Sequence, residues 1–171
     1  MRFNEEQTAY YGYISQGGWS FYIAATDKGL CFVGSQNGEI DEVKSWFEKN
    51  RPNTMLTENS NHVAVYEDQL VEYMNGERKE FDLPVDMIGT EFQNAVWKEL
   101  KNIPFGEKTT YTDIAEKIGK PKSVRAVGSA IGKNPVMIVI PCHRVIAKNG
   151  KLAGFRGGIP MKKRLLELEK K

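Results

Sequence analysis

TYTDIAEKIGKPKSVRAVGSAIG, residues 110–132, decides the fold of the second half of the chain. Thr110 followed three residues later by Asp113 is a cap-like pair that opens a helix from Tyr111 to Ile118, and Gly119 stops it. Pro121 and Ser123 start a second helix, VRAVGSAIG, which Gly132 stops. Two short helices joined by GKPKS predict a helix-turn-helix. From Lys117 to Lys133 there are five basic residues and no acidic one, so this face can neutralise phosphates without reading sequence. A major-groove reader presents Asn, Gln or Arg to base edges. Here Arg125 is followed by Ala126, Val127, Gly128, Ser129 and Ala130. Small residues let a backbone approach a narrow groove, with Arg125 as the one side chain that intrudes into the base stack. The competing structural reading is a helix packed on its neighbour through small residues.

Outward from this pair, the pattern stays helical. Thr90 and Gln93 form a capping-box pattern before a helix that turns Phe92, Val96, Trp97 and Leu100 to a core. IPFGEK is a turn, VMIVI (residues 136–140) reads as a buried apolar run, and GKLAGFRGG is a glycine-rich loop. Pro160 sits near the first turn of a last helix carrying Leu165, Leu166 and Leu168. The first half begins as an antiparallel sheet: YYGYIS, WSFYIAAT and LCFVGS, separated by GG and DKG turns. Residues 41–49 predict an amphipathic helix with Val43, Trp46 and Phe47 on one side, and residues 62–75 a second one. Residues 81–90 read as a linker. The expectation is an α+β chain: a small sheet-plus-helix domain over residues 1–84, then a mostly helical domain with a helix-turn-helix over residues 85–171.

With 171 residues, 40% hydrophobic and 27% charged, the chain has the composition of a globular protein. No signal-peptide core and no membrane-length apolar run is visible, which predicts a cytoplasmic location. The two cysteines, Cys31 and Cys142, make no disulfide framework, and Cys31 lies within an apolar strand as a small core residue. The net charge of +2 hides an asymmetry: residues 1–86 hold 7 Lys/Arg against 15 Asp/Glu, and residues 87–171 hold 17 against 7. A basic half joined to an acidic half suggests that the second alone meets a polyanion, with chance patterning of solvated faces as the alternative.

PCHRV, residues 141–145, places a thiol, an imidazole and a guanidinium side by side. A thiol attacks as thiolate, and an ordinary cysteine with a pKa near ~8.5 is only a few per cent ionised at neutral pH. His143 is the nearest base. On an extended segment adjacent side chains point to opposite faces, so it would act through a water or after a local bend, and its second nitrogen needs an orienting acceptor. Alternatively Cys142 is an inert core residue. The histidines and cysteines show no zinc-ligand spacing, and no metal or cofactor is expected.

PCHRV resembles the active-site signature of the O6-alkylguanine-DNA alkyltransferases, the methylated-DNA–protein-cysteine methyltransferases. The resemblance runs in order and spacing through GTEFQNAVW, IPFGEKTTYTDIA, GKPKSVRAVGSAIGKNP, IPCHRVIAKNG, GFRGG and KRLLELE, about half the chain. The first half has the layout of that family's ribonuclease H-like domain but no motif of its own. The resemblance implies that Cys142 is the alkyl acceptor, that His143 relays its proton through a water, and that Glu169 orients His143. It implies that Tyr111 donates a hydrogen bond to the target guanine and that Asn134 holds the segment presenting the cysteine. Arg125 becomes the finger that fills the gap of a flipped base, with Lys122, Ser123, Ala126, Gly128 and Tyr111 as further DNA contacts. The pocket would be lined by Met137, Val145, Phe155, Arg156 and Gly157, with the carbonyls of Cys142 and Val145 accepting from guanine and the amide of Arg156 pointing toward O6. Met137 stands where some relatives have proline or a small residue, and Arg156 where some have serine; both bear on tolerance for bulky alkyl groups.

The implied activity is irreversible transfer of a methyl or small alkyl group from O6 of guanine, and O4 of thymine, in double-stranded DNA to Cys142 after base flipping, one turnover per molecule. The protein would act as a monomer with no obligatory protein partner and no membrane association. Two other classes were weighed. A non-catalytic alkyl-lesion binding protein would lack the acceptor cysteine, which this chain has. A cysteine hydrolase would have to recruit His62, from the acidic half.

Overall fold

Why the first 87 residues form a sheet follows from their alternation. The structure, a computed structural model, describes residues 7–170. Strands β1 (Gln7–Gln16), β2 (Trp19–Thr26) and β3 (Gly29–Val33) pair as antiparallel neighbours through tight turns. Gly17 and Gly18 both take positive φ at the first turn, a conformation that side chains with a Cβ resist. After helix α1 (Ile40–Asn50), strand β4 (Thr54–Glu58) returns to pair parallel with β1, giving the order β3-β2-β1-β4. Helix α2 (Ser60–Met74) follows, with the Asn59 side chain accepting from the His62 amide at its start.

Period-two alternation sends the two faces of this sheet to different helices. Ala9, Ala24, Cys31 and Phe32 form one cluster with Val43 and Phe47 of α1, with Trp46 packed partly buried against it. On the other face Gly12 lies opposite Ile23, and a Cβ at Gly12 would come within 2.6 Å of Val63 and Glu67 of α2. Glycine at this one position lets α2 settle on the strand.

The chain divides between Met87 and Ile88, later than the expected boundary after residue 84. The reason is hydrogen bonding. Leu30 donates to the Pro84 carbonyl, Asp86 donates back to the Leu30 carbonyl, and buried Arg51 grips Asp86 through Nη1 (3.2 Å, to Oδ2) and Nη2 (2.7 Å, to the carbonyl). Residues 84–86 are thus a parallel extension beside β3 rather than linker.

The second unit is helical. Helix α3 (Glu91–Leu100) opens with both halves of the Thr90/Gln93 capping box. Strand β5 (Thr109–Thr110) leads into α4 (Tyr111–Lys117), where the Thr110 hydroxyl accepts from the Asp113 amide. After the turn comes α5 (Val124–Gly132). The three helices pack on one another, and the Trp97 indole donates to the Ala130 carbonyl at 2.9 Å, satisfying a polar atom inside the core. Strand β6 (Val145–Ile146) pairs parallel with β5, and α6 (Ile159–Leu168) closes the unit with Pro160 in its first turn. No helix among the described residues is long and apolar enough to cross a membrane.

Candidate functional site

The apolar run before Cys142 is not a strand. Between Pro135 and Pro141 it coils into turns, with Val139 donating to the Met137 carbonyl (2.9 Å) and Ile140 to the Val136 carbonyl (3.0 Å). Ile138, fully buried, takes φ +77°, a left-handed conformation that costs a β-branched residue about 1–3 kcal/mol. Burial of Val136, Met137, Ile138 and Ile140 against the helices offsets that strain. Cys142–Arg144 then form one 3₁₀ turn, so the extended geometry expected of PCHRV is replaced by a bend, and the Val145 amide closes it onto the Cys142 carbonyl.

Asn134 braces this coil from inside. It is 1% exposed; its Oδ1 accepts from the Val136 amide (3.0 Å) and its Nδ2 donates to the Ile140 carbonyl (2.9 Å). The same amide hydrogen-bonds the Cys142 thiol. Cys142 is 3% exposed. Burial pushes its thiol above the ordinary value, while the Asn134 bond and the positive charges of Arg156 and Lys162 pull the other way.

His143 and Arg144 converge on Glu169, which caps the C-terminus of α6. Glu169 Oε2 lies 2.7 Å from His143 Nε2 and accepts from Arg144 Nη2 at 2.9 Å. Its Oε1 accepts from Arg144 Nε at 2.8 Å and from the Gly106 amide at 3.1 Å. Arg144 spends its remaining nitrogen on the Ile103 carbonyl (2.6 Å) and stacks over Phe105. A carboxylate held by three such cationic and amide donors acts as an acceptor, so His143 carries its proton on Nε2 and presents a lone pair at Nδ1. Burial lowers the affinity of His143 for a second proton; Glu169 opposes this and the charges of Arg144 and Lys162 add to it. At neutral pH the imidazole is neutral and able to act as a base.

On the other side of the thiol, Tyr111 and Lys162 share one acceptor. The Tyr111 hydroxyl and Lys162 Nζ each donate to the Ala153 carbonyl at 2.8 Å, and the ammonium stands 5.9 Å over the Tyr111 ring. Lys162 has no exposed surface, and burial pushes its pKa down to about 8. Tyr111 is pushed up, by burial first and by Cys142 second.

Of the residues expected at the site, Cys142, His143, Glu169, Asn134, Tyr111 and Arg156 are brought together by these contacts. Met137 and Val145 are buried, and a Cβ at Gly157 would meet Phe155 at 3.0 Å and Met137 at 3.3 Å, so Met137, Phe155 and Gly157 lie in one neighbourhood. Lys122, Arg125 and Ala126 are exposed at the opening of α5, Ser123 is half-buried, and Gly128 lies against the Tyr111 ring, where a Cβ would stand at 3.7 Å. Sequence reasoning assigned no role to Arg144 or Lys162. Among the described residues, no three or more His, Cys, Asp or Glu side chains are grouped to hold a metal ion.

Known proteins resemble both units of the chain. Residues 91–171 match the DNA binding domain of 6-O-methylguanine DNA methyltransferase, and residues 9–87 match its ribonuclease-like domain. An inducible methylated-DNA–protein-cysteine methyltransferase of Bacillus subtilis is 51% identical over 164 residues, covering 96% of this chain and 92% of that protein. Among solved structures, O6-methylguanine methyltransferase of Mycobacterium tuberculosis superposes with a TM-score of 0.80 at 39% identity, covering 95% of this chain and 93% of that one. The Mycobacterium tuberculosis OGT complex with DNA gives 0.78 at the same identity, over 94% of this chain and 92% of that one. With both of its units matched and this identity over nearly its whole length, the chain belongs to the O6-methylguanine DNA methyltransferase family.

Proposed function

We propose that this protein repairs DNA by direct reversal, moving a methyl or small alkyl group from O6 of guanine, and from O4 of thymine, onto the sulfur of Cys142. The exposed opening of α5 docks in the minor groove, and Arg125 takes the place vacated by the extruded base. Lys122, Ser123, Ala126 and Gly128 support that approach. Pairing weakened by the lesion lowers the cost of extrusion, a few kcal/mol in general.

The chemistry balances as an in-line displacement. The Cys142 proton passes through a water to His143 Nδ1, the sulfur–carbon bond forms, the carbon–O6 bond breaks, and the electron pair leaves with the purine. Tyr111 exchanges the Ala153 carbonyl for the purine and donates to it, and the Arg156 amide donates to O6; both reduce the developing charge. The carbonyls of Cys142 and Val145 accept from the exocyclic amine, and Met137, Phe155 and Gly157 wall the pocket. The product is a thioether, which no neighbouring group can hydrolyse, so each molecule acts once. Every group in the scheme comes from residues 88–171 of one chain, which supports action as a monomer without a protein partner.

The observation that carries this reading is the buried His143–Glu169 pair, which holds a neutral imidazole next in sequence to the buried Cys142 thiol. Incubation with duplex DNA containing O6-methylguanine, followed by peptide mass mapping, should find one added methylene mass on Cys142. Cys142→Ala should keep lesion binding and gain no mass. An unmodified Cys142 after complete incubation sinks the proposal.

A further inference from the structure

The Arg156 side chain has a defined place. Nε donates to the Asn134 carbonyl at 3.3 Å and Nη2 to the Pro135 carbonyl at 3.2 Å. The first acceptor is the backbone of the residue whose side chain holds both ends of the coil and the thiol itself, and the second is that of the next residue. We propose that Arg156 is a positioning residue for alkyl transfer: it clamps the Asn134–Pro135 turn and lends the Cys142 thiolate a permanent positive charge. The inference rests on Cys142 being the alkyl acceptor.

The need for that charge comes from burial. A thiolate with 3% exposure forfeits most of its hydration, and the site has to replace it. The groups around Cys142 come from five places. Asn134 follows α5 and contributes a neutral donor. Tyr111 of α4 raises no positive charge. His143, on the same turn, is held neutral by burial. That leaves Lys162 of α6 and Arg156 of the glycine-rich loop as the facing cations. They differ in staying power. Lys162, pushed down to about 8, gives up its proton before a thiol raised by burial ionises. A guanidinium keeps its charge throughout. As pH rises, Arg156 becomes the standing cation beside the sulfur.

The second route is mechanical. The Asn134 side chain can hold the Val136 amide, the Ile140 carbonyl and the thiol at once only if its own backbone is fixed, and the Arg156 bonds fall on that backbone.

The test uses the intact protein and iodomethane, without DNA. The rate of methylation at Cys142, read by peptide mass, is followed from pH 6 to 10.5 in wild type, Arg156→Lys, Arg156→Met and Arg156→Gln, with thermal melting of each as a check of folding. The Met and Gln variants should react about tenfold more slowly at each pH below the thiol midpoint, displacing the rate–pH line upward by about one unit, while Lys stays within about threefold of wild type near neutral pH, where its ammonium is charged, and drifts toward Met and Gln as that proton is lost. The two neutral replacements differ in polarity, so either one that folds decides the matter. Lines that superpose on wild type, a loss that persists above the midpoint, or a Lys variant that falls with Met and Gln near neutral pH overturns the proposal. Because no lesion is present, a wild type that ignores O6-methylguanine DNA would sink the proposed function and leave this outcome readable.

Discussion

His143 Nε2 stands 2.7 Å from Glu169 Oε2, both of them buried, across 26 residues of sequence. Arg144, the next residue, holds the same carboxylate through two nitrogens. One acidic group therefore sets the tautomer of the base and neutralises the guanidinium beside it.

Glu169→Gln separates these roles from simple packing. An amide cannot accept from His143, Arg144 and Gly106 together, so a buried guanidinium loses its counter-charge. Urea unfolding should show a loss of about 3–5 kcal/mol. Methyl transfer, followed in single-turnover assays, should slow by about 10²-fold or more, because a Gln N–H facing Nε2 moves the imidazole proton to Nδ1 and removes the base.

Arg144→Met has a signed effect on pH dependence. The positive charge of Arg144 helps keep His143 from taking a second proton, while Glu169 favours that proton. Without Arg144 the imidazole binds it more readily, and a protonated His143 cannot act as the base. The acid limb of the transfer rate, measured between pH 5 and 8, should move to higher pH. A limb that stays in place would show that burial alone holds the imidazole neutral.

Tyr111→Phe removes a donor without emptying the space. Transfer from O6-methylguanine DNA should fall by about 10²-fold. DNA affinity and methylation of Cys142 by iodomethane, which has no purine leaving group, should change by less than about threefold, since neither step draws on this donor.

Arg125→Ala tests the exposed opening of α5. Transfer from a lesion in duplex DNA should fall by about tenfold or more, because the flipped state loses the side chain that fills the gap. Transfer from a short single strand carrying the same lesion should be nearly unchanged. An equal loss on both substrates would assign Arg125 to phosphate binding.

What could be read ahead of the structure was local. Thr90 with Gln93, and Thr110 with Asp113, bond across three residues, and their side chains state the helix starts outright. What stayed hidden depended on distant partners. Strand β4 is short and half exposed, and only its parallel pairing with β1, some forty residues earlier, makes it a strand. VMIVI has the composition of a strand, yet Pro135 and Pro141 bracket it, and the coil exists because helices and Asn134 hold Ile138 in a conformation it does not prefer. Lys162 carries no motif that marks it. Its position in MKKRLLELE, seven residues before Glu169 with Leu165 and Leu166 between, puts it on the inward side of α6, and that spacing was the available sign. Arg144 carried no such sign, because its acceptors come from α6 and from the turn after α3.

Cys31 sits in the sheet with no exposure, its thiol bonded to the Ala24 carbonyl and pushed up to about 12 by burial. It keeps its proton at any pH a cell reaches, so of the two thiols one is mute. A sample of this protein is then its own dosimeter: the methyl mass it has gained, per chain, is a direct tally of the lesions it has met.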